Sequence, residues 1–117
     1  MATPSDPAFQ DRLQALRDKY AASVPERMAA IRDALALCRG DLTAPHIDQL
    51  HHALHSVAGS AGSFGFHALG AESRRIEQMV RSVMEAGAPW DGIETAVQAL
   101  LHWADKDFRA EKFAAHD

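Results

Sequence analysis

The chain has 117 residues, 47% of them apolar, and a formal net charge of −4 with its seven histidines neutral. That is enough to build one domain with a real core, and the composition excludes a disordered chain. There is no basic run interleaved with aromatics to suit nucleic acid, and no apolar run near the ~20 residues that span a bilayer.

The N-terminus, Met1-Ala2-Thr3-Pro4-Ser5-Asp6-Pro7, lacks the charged and apolar regions of a signal peptide. The single Cys38 forbids an internal disulfide, fits a reducing cytoplasm, and reads as a small buried apolar residue. A cytoplasmic location is therefore expected.

In chain order the pattern is helical throughout. Asp6-Pro7 reads as a cap followed by a first-turn proline, and Phe9, Leu13, Leu16 and Tyr20 form the first apolar stripe. Pro25 is expected to open a second helix, with Ser23 or Val24 near its cap and a stripe of Met28, Ile31, Leu35 and Cys38. Gly40 is expected to end it. Thr43-Ala44-Pro45 restarts the chain into a third helix, whose stripe is Ile47, Leu50, Leu54, Val57 and Ala61. A break falls at Gly65. A fourth helix carries Leu69, Ser73, Ile76, Val80 and Val83 and stops at Gly87-Ala88-Pro89. A fifth starts near Pro89-Trp90 and carries Ile93, Val97, Leu100, Ala104 and Phe108. Short connections favour antiparallel neighbours, hence an all-α, up-down four-helix bundle with an additional N-terminal helix. Residues 1–117 form a single domain in this reading, with 1–5 and about 111–117 flexible.

His55 is the residue that this pattern singles out. At about 100° per residue it lies about 120° from the centre of its stripe, so it is exposed yet anchored on a rigid element. Gly59 follows four residues on and Gly62 seven, spacings that stack on one helix face. Each glycine in a helix interior costs about 1 kcal/mol relative to alanine. Accepting that cost twice beside an exposed imidazole points to the close approach of another macromolecule. His52, Ser56 and Gly59 point further out on the same side.

Three readings of this histidine compete. One is a solvated polar residue, which is how His46, His67, His102 and His116 are read. The second is metal ligation, since His51 and His55 are an i, i+4 pair with His52 and Asp48 nearby. No third ligand is fixed on that face, however, and no metal or other cofactor is expected. The third is phosphoryl transfer through the imidazole. A neutral ring nitrogen is a good nucleophile near pH 7, and the labile N–P bond lets the group pass on to a carboxylate. This needs an exposed ring, a partner fitting over it, and a group orienting the other nitrogen.

The run from His55 through Gly59, Gly62, Gly65 and Leu69 to Arg75-Ile76-Glu77 resembles the histidine-containing phosphotransfer (HPt) domain. That family's pattern is His-x-Leu-Lys-Gly-Ser-x-x-x-x-Gly, then Leu, then a hydrophobic residue and Glu. The motif spans some 23 residues, and the helical layout extends the resemblance over nearly the whole chain. The resemblance implies a four-helix bundle with an extra N-terminal helix covering one end. It implies that His55 accepts a phosphoryl group and exchanges it with an aspartate on a receiver domain. It places Gly59 in the lane of receiver approach, with Gly62, Ala58, His52 and Ser56 around it.

Glu77 stands where the family places Glu or Gln within reach of the imidazole. It flanks Ile76 as His55 flanks Leu54, so two adjacent helices can bring the pair together and fix the ring tautomer. A surface ion pair with Arg74 or Arg81 is the plainer alternative for Glu77. The family's lysine is Ala58 here, so the receiver or another basic residue, Arg74 or Arg81, has to supply that charge. The chain carries no glycine-rich ATP loop, Walker lysine or kinase motif. The expected role is a freestanding monomeric carrier between receiver domains of a hybrid sensor kinase and a response regulator. A non-phosphorylated docking module for such partners is the competing class, and a histidine-cluster metal bundle ranks behind both.

Overall fold

A computed structural model describes residues 6–114. Among them are four α-helices, α1 (Pro7–Gly40), α2 (Ala44–Ser60), α3 (His67–Ala86) and α4 (Ile93–Asp107), with a 3-10 turn at Gly62–Phe64 between α2 and α3. Each helix packs on the next in sequence, and α4 closes the ring against α1. The core is filled by the expected stripes: Ile31 and Leu35 from α1, Leu50, Leu54 and Val57 from α2, Leu69, Ile76 and Val80 from α3, and Val97 and Leu100 from α4. Burying each side chain of this size contributes about 1.5–3 kcal/mol. Flexibility expected for residues 1–5 and for the last three, and the reading of His116, fall outside the described residues. At the other side of that boundary, Phe113 packs edge-on against Trp103, whose indole N–H donates to the Lys112 carbonyl at 3.2 Å.

The additional N-terminal helix is not separate. It and the expected second helix are one element of 34 residues with Pro25 inside it. A proline in a helix interior removes one hydrogen bond and costs about 3 kcal/mol, which is why it reads as a helix opener. Here the buried stripe Tyr20, Val24, Met28, Ile31 runs straight through it, and the proline itself lies on the exposed side. Packing on both sides of the proline outweighs the local penalty. Asp6 caps the helix as expected, accepting from the Ala8 amide at 2.9 Å. Between Pro7 and Lys19 no residue is buried.

The other boundaries follow local chemistry. Thr43 caps α2 through the His46 amide, and the His46 ring bonds the Asp41 carbonyl at 2.6 Å, so that histidine secures a helix start rather than merely meeting solvent. Gly65, at φ +91°, turns the chain between the 3-10 turn and α3. α4 begins at Ile93, three residues beyond the expected Trp90, because Gly92 at φ +86° still belongs to the turn.

Gly70, which the sequence pattern does not single out, sets how closely α3 approaches the end of α2. A Cβ there would lie 3.1 Å from the Gly62 amide nitrogen and 3.5 Å from the Ala61 Cβ. Gly70, Ser73 and Glu77 share one seam of α3 facing α2, so this contact governs where Glu77 arrives. Gly70→Val is expected to lower stability by about 1–3 kcal/mol through overpacking against backbone. Gly59→Ala, whose Cβ would meet nothing within 4 Å, should raise it by up to about 1 kcal/mol. Denaturant midpoints of the two variants check this.

Candidate functional site

His55 lies on α2 with its side chain 61% exposed, as its flank position predicts. On its far side is Glu77, brought in by α3, with a side chain only 4% exposed. His55 Nδ1 is 3.6 Å from Glu77 Oε1. That is longer than a hydrogen bond. The other carboxylate oxygen, Oε2, accepts from His51 Nε2 at 2.8 Å and from Arg81 Nη2 at 2.7 Å. The pairing of Glu77 with Arg81 is thus present, but on a buried carboxylate that also faces two imidazoles, not on an open helix surface. Arg74 takes no part in it.

Burial pushes the Glu77 carboxyl up. The His51 hydrogen bond, the Arg81 charge, the His51 charge and the His55 contact outweigh this and hold it below the ordinary carboxylate value. A carboxyl with a lowered folded-state pKa stabilises the fold fully above its unfolded value of about 4.3, and that contribution is lost as pH falls through the folded value. At pH 7, Glu77→Gln is therefore expected to be less stable than the parent by roughly 1–3 kcal/mol. The gap should narrow below about pH 4.3 as Glu77 protonates. Denaturation of both proteins from pH 7 down to pH 3 measures it.

The approach to His55 is open on one side. Gly59 is exposed, and a side chain there would find empty space. His52 is exposed too. Ser56 is exposed, but its hydroxyl is engaged: it accepts from Arg27 Nη1 of α1 at 2.9 Å.

Two of the expected lane residues sit elsewhere. Gly62 lies beyond the end of α2, in the 3-10 turn, so it does not extend the helical face. Ala58 is buried, because it occupies the flank of α2 turned toward α3, about 100° round the helix from Gly59. Its carbonyl accepts from Arg74 Nη2 at 3.0 Å. The guanidinium of Arg74 therefore lies against α2 beside the position where the related pattern has lysine.

Sequence reasoning missed two residues here. Arg27 is held three ways: Nε donates to Ser23 Oγ at 2.9 Å, Nη1 to Ser56, and the guanidinium lies 4.6 Å from the Tyr20 ring centroid. The Tyr20 hydroxyl in turn pairs with Ser60 Oγ at 2.8 Å. The signal was available, since Arg27 stands four residues before Ile31 and seven after Tyr20, in the middle of an apolar stripe. His51 is the other. It reads as half of a metal pair, yet its Nε2 is committed to Glu77, and among the described residues no group of three His, Cys, Asp or Glu side chains could hold a metal ion.

These features describe a helical bundle with an open imidazole on a helix surface, backed by a buried carboxylate. The chain belongs to the Hpt domain family, which matches it over residues 15–110. Hpt domains are phosphotransfer modules of two-component signalling that interact with receiver domains. No significant match is found among curated proteins or solved structures. No helix of the described residues is long and apolar enough to cross a membrane.

Proposed function

We propose that His55 accepts a phosphoryl group from the aspartyl phosphate of one receiver domain and passes it to the aspartate of another, in the cytoplasm, as a phosphorelay intermediate between a hybrid sensor kinase and a response regulator. The observation that carries this is an imidazole 61% exposed whose Nδ1 faces a buried carboxylate at 3.6 Å, with a side-chain-free turn beside it at Gly59. In the reaction the Nε2 lone pair attacks phosphorus, the N–P bond forms, and the bond from phosphorus to the aspartyl oxygen breaks with the carboxylate leaving. The Nδ1 proton stays on the ring, facing Glu77, which offsets the positive charge that the ring gains. The chain supplies no nucleotide-binding loop, so it carries phosphate without drawing it from ATP. Incubation with a phosphorylated receiver domain tests this. Acid-labile, base-stable phosphate should appear on the chain, and its absence with competent receivers would overturn the reading.

In this reading Arg74 supplies the charge that lysine gives elsewhere in the family. Its bond to the Ala58 carbonyl keeps a guanidinium beside α2, whereas Arg81 is committed to Glu77. A cation one helical turn from a phosphoryl group at an exposed, screened site is worth about 1 kcal/mol. Arg74→Ala is expected to shift the transfer equilibrium away from phospho-His55 by about fivefold. Ala58→Lys, at a buried position already served by Arg74, should change it little. Phosphohistidine levels at equilibrium with one receiver compare the two.

A further inference from the structure

The two oxygens of Glu77 have unequal surroundings. Oε2 is gripped by His51 and Arg81, while Oε1 faces His55. The two grips differ in what they fix. Arg81 lies on α3, one turn after Glu77, so it moves with the carboxylate and carries no information about α2. His51 lies on α2, one turn before His55, with its side chain only 17% exposed. The two imidazoles lie 5.9 Å apart and 17° from parallel. They present Nε2 of one ring and Nδ1 of the other to the two oxygens of a single carboxylate. The terminal torsion of a glutamate is broad and nearly two-fold, and without His51 the Oε2 oxygen would be held only by Arg81 from its own helix.

We propose that His51 is a positioning residue for the chemistry at His55: by donating from Nε2 to Glu77 Oε2 it fixes the plane of the carboxylate relative to the helix that bears His55, so that Oε1 is held toward Nδ1. The ring proton of His55 is then kept on Nδ1, and Nε2 presents its lone pair to the partner. This rests on the reading of His55 as the phosphoryl acceptor and names the device that prepares its nitrogen.

The test uses protein labelled with 15N in its imidazoles, the His55 signals being identified by their loss in His55→Gln. Neutral His55 is expected mainly as the Nδ1–H tautomer in the parent. In His51→Leu that fraction should fall, and the rate of phosphoryl transfer from a phosphorylated receiver should drop at least about tenfold. His51→Gln, whose amide can reach Oε2, should restore most of both. Should His51→Leu fail to fold, His51→Asn, too short to reach Oε2, takes its place with the same expectation. An unchanged tautomer and rate in these variants would overturn the proposal. So would equal slowing in His51→Gln and His51→Leu with the tautomer unmoved, which marks a merely structural role. The tautomer measurement needs no receiver. A parent that takes no phosphate but shows the tautomer shift would remove the carrier reading and leave the positioning intact, whereas a phosphorylated parent without the shift would remove the positioning alone.

Discussion

His55→Gln is expected to abolish phosphoryl acceptance while the fold persists unchanged. The amide has no nucleophilic nitrogen, so the loss should be complete rather than graded. The side chain contributes no core packing, being 61% exposed, and Glu77 keeps its bonds to His51 and Arg81 on the other oxygen. Stability should therefore stay within about 0.5 kcal/mol of the parent. The measurements are phosphate incorporation from a phosphorylated receiver and a thermal melt on the same samples. Incorporation that survives would move the acceptor to another of the histidines. A large fall in melting temperature would assign His55 to holding the bundle together.

Gly59→Leu should have the second largest effect, and it separates docking from folding. The leucine side chain would project into open space one turn from His55, where nothing in this chain lies within 4 Å of the added Cβ. Replacing a glycine in the last turn of α2 should stabilise the helix by up to about 1 kcal/mol. The same side chain would stand in the path of a receiver approaching the imidazole, and affinity is expected to fall by more than tenfold, about 1.4 kcal/mol or more. A variant that melts higher and binds worse is the signature. Unchanged receiver affinity would show that docking does not use this lane.

Much of the geometry of the candidate site was legible because it depends on helix periodicity. The stripe through Leu50, Leu54 and Val57 fixed the outward direction of His55, and the matching flank position beside Ile76 brought Glu77 opposite it. What stayed hidden depends on neighbours that periodicity does not name. A helical projection puts His51 about 40° nearer the buried stripe than His55, but only the arrival of α3 commits that ring to a buried carboxylate and leaves the other open. Ala58 and Gly59 are adjacent in sequence, yet one faces α3 and the other faces solvent. Pro25 followed a sound local rule that burial of Val24 and Met28 overrode. Gly70 carries no local signal, since its role is a 3.1 Å clearance against a turn eight residues earlier in the chain.

The single long first helix has a consequence for how the molecule comes apart. The molecule's longest dimension is 51 Å, about the length of a 34-residue helix, whereas the 17 residues of α2 cover only about 25 Å. The span from Pro7 to Lys19 therefore draws little from the core that holds Tyr20 to Cys38. A helical segment of that length is marginal in water on its own propensity. Its amide protons are expected to exchange through a local helix–coil equilibrium, and those around Ile31 and Leu35 only when the whole bundle opens, which native-state hydrogen exchange would measure. One continuous rod in space is thus expected to behave as two cooperative units in free energy, with their border near the tyrosine that bonds Ser60.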